Sequence, residues 1–382
     1  MLEDINNIPP EENEPKHEDK INNGKKIKKQ KPKKKMNIFV KILLTLLILI
    51  VVLPYVMMIA LGGVALVGYI YLKNKLGKID YVDLKSTEIT INHGVDESLA
   101  TYRNIALLGI DARSDTFGTG NRSDCIMILS LNEKTKDVKI ASVYRDTYLN
   151  IDGHGLDKVT HAYSYGGPKL ALNTLNKNLD LNITEFVAIN FDTVRVVVDS
   201  IGGVEIPIDS QEVKYINGYI NSLNKQFGTS SANITTPGTY KLDGVQALAY
   251  SRIRYTDGGD YKRTERMRDV FMAVFKKAKT MNISELNNLA NTILPHVSTN
   301  ISENEIMGMI PKAISFNIKD SFGWPYETEG KMITKVWYGV PINLQKNVSK
   351  LHESLFNEVD YEPTDTVKNI SNDIIKTTGY GK

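Results

Sequence analysis

The segment "SRIRYTDGGDYKRTERMRD", Ser251 to Asp269, gathers five arginines and four acids around a Gly-Gly pair where a loop enters a helix. Arg252 and Arg254 are two residues apart, which in an extended chain turns both side chains to one face. Arg263 lies just before the helix, whose free N–H groups attract anions. A guanidinium donates two parallel hydrogen bonds to a phosphate, so the pattern fits a grip on a multiply charged anion. Asp260, three residues before Arg263, could take a proton from an incoming hydroxyl as a general base, or cap the helix and pair with Arg263. More such groups stand at strand ends: Asp111 and Arg113 in "GIDARSD", Arg122 and Asp124 in "NRSD", Arg145 and Asp146 in "SVYRDT", with Arg266 inside the arginine segment. Asp111 and Asp124 could hold magnesium, which takes one or two carboxylates and completes its shell with water and phosphate oxygens. Singly, each residue also reads as a surface ion pair worth about 0–1 kcal/mol.

Other chemistries find no support. The chain has no HExxH, no GxSxG, no GxxxxGK[ST] and no CxxC. Its six histidines are scattered, only His154 and His161 lying close together, which argues against a zinc site. The single cysteine, Cys125, rules out an intrachain disulfide and, inside an apolar strand, reads as a packed thiol. The net charge of +3 is unevenly spread. Residues 1–41 carry eleven lysines and seven acids, a net +4, which leaves −1 for the rest. The main domain therefore has no broad basic field for nucleic acid, and any anion site in it must be built locally.

These groups need a scaffold, and the chain divides readily. Residues 1–36 read as a disordered basic tail ending in "KKIKKQKPKKK". Residues 37–72 contain an uncharged 31-residue run, Ile42 to Leu72, longer than the roughly 20 residues that span a bilayer. Lysines before it, and few just after, predict a single-pass membrane protein with its N-terminus in the cytoplasm and the rest outside. Residues 73–100 read as a stalk, 101–360 as the folded domain and 361–382 as a mobile polar tail. Buried strands are expected at Asn104–Ile110, Asp124–Asn132 and Val138–Leu149, and in "EFVAINF". Helices are expected from about Pro168, after Asp243 as N-cap, and over Thr264–Lys279, where Met267, Val270, Phe271, Val274 and Phe275 recur at helical spacing. Strands alternating with helices predict an α/β (α+β layered) fold, a central mixed sheet flanked by helices.

"NIALLGIDARSD", "NRSDCIMILSLN", "VKIASVYRDTYLNI", "KVTHAYSYGGPKLALNTL", "VDSIGGVEI" and "LDGVQALAYSRIRYTDGGDYKRTERMRDVF" resemble, in order, the motifs of the LytR-CpsA-Psr family of bacterial envelope proteins, from about Asn104 to Lys279. The resemblance implies a magnesium-dependent phosphotransferase outside the membrane. Such an enzyme moves a glycopolymer (teichoic acid, capsule or similar) from a polyprenyl-pyrophosphate lipid to a peptidoglycan sugar hydroxyl. It makes Asp111 and Asp124 the metal carboxylates and Arg122, Arg145, Arg252, Arg254 and Arg263 the pyrophosphate grip. Arg113 and Arg266 join them on the residue pattern, and Asp260, Arg145 and Arg122 form the expected catalytic set. A lipid groove is implied between sheet and helices. Two departures stand out: Tyr144 replaces the family's proline before Arg145, and Met267 replaces a glutamine after Arg266. A hydrolase of lipid pyrophosphates and a non-catalytic envelope regulator are the rival readings. The regulator lacks a folded cytoplasmic reader.

Overall fold

A computed structural model describes residues 68–381 except 69, 72, 75, 113–116 and 314, all within one compact unit, Leu66–Lys382. The expected membrane span, except residues 68, 70 and 71, lies outside the described residues, as does Arg113. No described helix is long and apolar enough to cross a membrane.

A seven-stranded mixed sheet forms the centre, in the order β1 (Asp80–Tyr81), β10 (Val297–Thr299), β7 (Glu185–Asn190), β2 (Tyr102–Asp111), β3 (Arg122–Asn132), β4 (Asp137–Val143), β11 (Asn317–Trp324). β2 pairs antiparallel with β3 and parallel with β7, and β3 pairs antiparallel with β4. The continuous apolar runs of β2 and β3 follow from burial on both faces. Ile126 and Ile128 face a core that includes helices α2 (Val159–Leu179), α9 (Leu344–Phe356) and α10 (Asp365–Thr378). Cys125, Met127 and Leu129 face the other side, towards α6 (Gly259–Ala278). A second core joins α3 (Phe191–Ser200), α4 (Ser210–Phe227) and α5 (Gly244–Arg252) with hairpin β8 (Val204–Ile208)–β9 (Gly238–Leu242). The expected mixed sheet with flanking helices is present.

Several expectations need correction. The 73–100 stretch is no free stalk: β1 joins the sheet edge, and Leu84, Ile89, Val95 and Leu99, around the short α1 (Val95–Ser98), are buried in the first core. Nor is 361–382 a mobile tail, since α10 buries Val367, Ile370 and Ile374. Buried Asp180 ties both ends down, accepting from Asn92 Nδ2 at 2.6 Å and from the Thr364 backbone at 2.8 Å. The polar composition of both stretches concealed apolar residues spaced for a helix face or for scattered contacts. α2 starts at Val159, not Pro168. Its backbone breaks at Gly166 and Gly167, the latter at φ 63°, and the helix resumes at Pro168. The expected strand Val138–Leu149 is two, β4 and β5 (Tyr148–Ile151), divided by a turn closed by the Thr147 N–H on the Tyr144 carbonyl at 3.0 Å. β5 pairs with β6 (Gly155–Lys158). That break places Arg145 in a turn.

Candidate active site

The site starts from an irregularity in the sheet. Gly109 pairs with Cys125 but Ile110 pairs with Ser123, so Asp124 is an extra residue in β3. Such a bulge leaves its residue out of register and re-aims its side chain. Asp124 is buried, and three cations converge on it from separate elements. Arg145 of the β4–β5 turn pairs through Nη1 with Oδ2, Arg263 of α6 reaches Oδ2 at 3.3 Å, and Arg122 Nε lies 3.9 Å from Oδ1. Burial pulls the Arg263 guanidinium below its ordinary value, and Asp124 opposes that pull. Arg145 is also held by its neighbour Asp146, 3.7 Å from Nε, which Lys158 pairs at 2.8 Å.

Asp111, Asp124, Arg252, Arg254 and Arg263 line one open polar cavity of about 280 Å³, with Tyr219 and Tyr255. Five of these seven residues are among those the sequence singled out. Tyr219 comes from α4 and Tyr255 from the loop after α5, and neither stands in a pattern that marks it. Arg252 ends α5 and Ile253 is extended, so the shared face of Arg252 and Arg254 survives although one of them is helical. Arg252 lies 3.5 Å from Asp192. Asp260 stands in the first turn of α6, its Oδ1 3.4 Å from Arg254 Nε and 3.8 Å from Arg263 Nη1. It therefore bridges two arginines of the cavity. Arg122 and Arg145 stand behind Asp124 and do not line the cavity themselves.

Arg266 does not line that cavity. It is buried, donating to Glu212 at 2.8 Å, the Ile253 carbonyl at 3.1 Å and Thr256 at 2.7 Å. Three residues on, it shares the Arg263 side of the helix, but Glu212, Ile253 and Thr256 claim its guanidinium, and those bonds fix the loop that carries Arg254.

The two carboxylates suit a magnesium ion. Asp124 Oδ1 is buried and accepts no hydrogen bond, an arrangement that costs free energy unless a cation is supplied. Exposed Asp111 lies across the same cavity. Among the described residues no three acidic, His or Cys side chains cluster, so any such ion would draw its other ligands from water or phosphate.

An apolar channel of about 260 Å³ runs between the sheet and α6 with α3 and α7 (Ile283–Ile293), walled by Gly109, Cys125, Val187, Met267, Val270 and Phe271 among others. Burial pushes the Cys125 thiol up to about 12. The expectation of a packed thiol is refined: Cys125 is a channel wall. Each of four elements gives a charged residue to the cavity and another residue to the channel: Asp111 and Gly109 on β2, Asp124 and Cys125 on β3, Arg252 and Ser251 on α5, Arg263 and Met267 on α6. Met267 in place of glutamine falls on the channel side.

The LytR_cpsA_psr family matches residues 66–356. The polyisoprenyl-teichoic acid–peptidoglycan teichoic acid transferase TagT of Bacillus subtilis is 32% identical over 282 residues, 72% of this chain and 84% of that protein. The equivalent transferase TagU of Enterococcus faecalis is 32% identical over 58% of this chain and 67% of its own length. The solved structure of TagT bound to LIIa-WTA superposes with a TM-score of 0.56 at 27% identity, covering 74% of this chain and all of that one. TagT with bound octaprenyl pyrophosphate lipid gives a TM-score of 0.52 at 27% identity, covering 72% of this chain and 99% of that one. Motif order, the Arg/Asp cavity over an apolar channel, and these matches agree that the chain belongs to the LytR-CpsA-Psr family.

Proposed function

We propose that this protein transfers a glycopolymer from a polyprenyl-pyrophosphate carrier to a peptidoglycan sugar hydroxyl. The observation that carries the reading is the joint construction of an anion cavity and an apolar channel from the same four elements. A lipid pyrophosphate has that division of chemistry in one molecule. From Arg263 to Val274, α6 rises about 16 Å, room for several prenyl units. The named activity of the TagT and TagU relatives supports the same reading, and makes a teichoic-acid-like polymer the cargo.

Phosphoryl transfer depends on positioning and charge neutralisation more than on covalent help. Arg252, Arg254 and Arg263 would bind the pyrophosphate oxygens, with Arg122 and Arg145 adding positive charge behind Asp124. The sugar hydroxyl oxygen attacks the phosphorus that bears the polymer. The bond from that phosphorus to the bridging oxygen breaks, polyprenyl phosphate leaves, and the hydroxyl proton passes to Asp260. Magnesium held by Asp111 and Asp124 would neutralise phosphate charge. The channel walls keep the prenyl chain out of water.

The test uses the full chain in detergent, an octaprenyl-pyrophosphate-linked saccharide and an uncrosslinked peptidoglycan oligomer. Transfer predicts a phosphodiester-linked adduct and acceptor-dependent release of octaprenyl phosphate. Release at the same rate without acceptor, yielding free sugar phosphate, would make the protein a hydrolase. The compartment rests on the uncharged run Ile42–Leu72 and the lysines before it. Protease added to intact, wall-stripped cells should digest residues 73–382 and spare Lys25–Lys35; the reverse pattern would overturn the orientation.

A further inference from the structure

Three aromatic rings, two of them next in sequence to Arg145 and Asp260, lead to an outer surface. Tyr144, beside Arg145, meets Tyr261 of α6 edge-on with centroids 4.6 Å apart, and Tyr261 lies 6.4 Å from Trp337. Trp337 belongs to the hairpin of β12 (Thr328–Ile333) and β13 (Val336–Pro341). Each ring lies against a glycine. A Cβ at Gly330 would come within 2.9 Å of the indole nitrogen and one at Gly339 within 2.9 Å of the Tyr261 hydroxyl, while one at Gly323 would collide with the Tyr144 hydroxyl. Gly330 and Gly339 pair directly across the hairpin, so a strip without side chains receives the rings.

The strip is fixed to the site. The Gly339 N–H donates to the Asp146 carbonyl at 3.0 Å, and two residues along an extended strand, about 7 Å, separate Gly339 from Trp337. Trp337 is 37% exposed, and Met332, opposite it, is 61% exposed. Grouped large apolar side chains in water mark a contact surface. The hairpin tip carries Thr334 at φ 46° and Lys335 at φ 70°, in a turn that ordinarily takes Asn-Gly. A β-branched residue there is strained, and strain collects at working surfaces.

We propose that this strip docks the acceptor, a β-linked N-acetylhexosamine glycan, by stacking the C–H faces of successive sugar rings on Trp337 and Tyr261. This rests on the transferase reading above. The strip begins at Tyr261, next to Asp260, where an acceptor hydroxyl must arrive. It is one ring wide, and each ring keeps a polar N–H or O–H, which matches a sugar chain better than a lipid surface.

The probe is a soluble N-acetylglucosamine–N-acetylmuramic acid tetrasaccharide added to the full chain in detergent. The chain has two tryptophans, and Trp324 is fully buried, so a sugar-dependent change in tryptophan emission reports Trp337. By calorimetry Trp337→Ala should bind the tetrasaccharide about tenfold more weakly, as for loss of one stacked ring. Trp337→Phe should fall between it and wild type. In transfer assays the KM for acceptor should rise by a similar factor while kcat and lipid-pyrophosphate affinity hold. Wild type that does not bind the tetrasaccharide, or Trp337→Ala that binds it as wild type does, would overturn the docking proposal. Wild type that binds the sugar yet never transfers would sink the transferase reading and leave the docking surface standing.

Discussion

Replacing Asp124 with alanine would leave Arg145 and Arg263 facing each other in a buried site. Removing one partner of a buried ion pair costs about 3–5 kcal/mol. Asp111 is exposed, and a surface substitution there should change stability by no more than about 0.5 kcal/mol. The expected result is a large fall in denaturation midpoint for Asp124→Ala and almost none for Asp111→Ala, with both losing magnesium-dependent transfer. An active, EDTA-insensitive Asp111→Ala enzyme would remove magnesium from the site. Asp260→Asn keeps size and hydrogen bonding but loses basicity. As general base its loss should lower kcat by at least about 100-fold while lipid-pyrophosphate affinity holds. A parallel drop in affinity or melting temperature would instead make Asp260 a spacer between Arg254 and Arg263.

α6 carries both halves of the site because 3.6-residue periodicity puts Arg263, Met267, Val270 and Val274 on one face, polar at its start and apolar beyond. Filling the channel should then separate the halves. Val270→Trp is expected to abolish binding of octaprenyl pyrophosphate while inorganic pyrophosphate still binds with wild-type affinity. Loss of both would mean that the helix had moved and that channel and cavity are not separable. Cys125 gives a second reading of the channel. With its thiol pushed up by burial to about 12, alkylation at pH 8 should be slow, and slower still with lipid bound.

At the scale of the whole molecule, the two stretches that look dispensable in sequence close the first core. Ile374 on α10 is buried to 1% exposure, far from the anion cavity. Ile374→Ala should cost about 2–5 kcal/mol, with transfer at low temperature unchanged. A melting temperature equal to wild type would restore the 361–382 stretch to the status of a tail.

What the sequence determined by itself was whatever periodicity or a local motif encodes. The apolar runs of β2, β3 and β7 told of a sheet covered on both faces, Asp243 marked its helix, and the spacing of Met267 and Val270 oriented α6. The Arg/Asp set was legible because guanidinium and carboxylate groups at strand ends and helix starts are chemistry written in residue types. Only the tertiary structure decided which of those charges converge. Arg266 carries the same group as Arg263 three residues earlier, yet Glu212, from a helix over fifty residues upstream, claims it. Tyr219 and Tyr255 became cavity walls through long-range packing that leaves no local signal. The strip of Tyr144, Tyr261 and Trp337 draws on three distant segments, held together because Gly323, Gly330 and Gly339 let rings approach the backbone. Periodicity is a property of neighbours in the chain, and convergence is a property of the folded sheet.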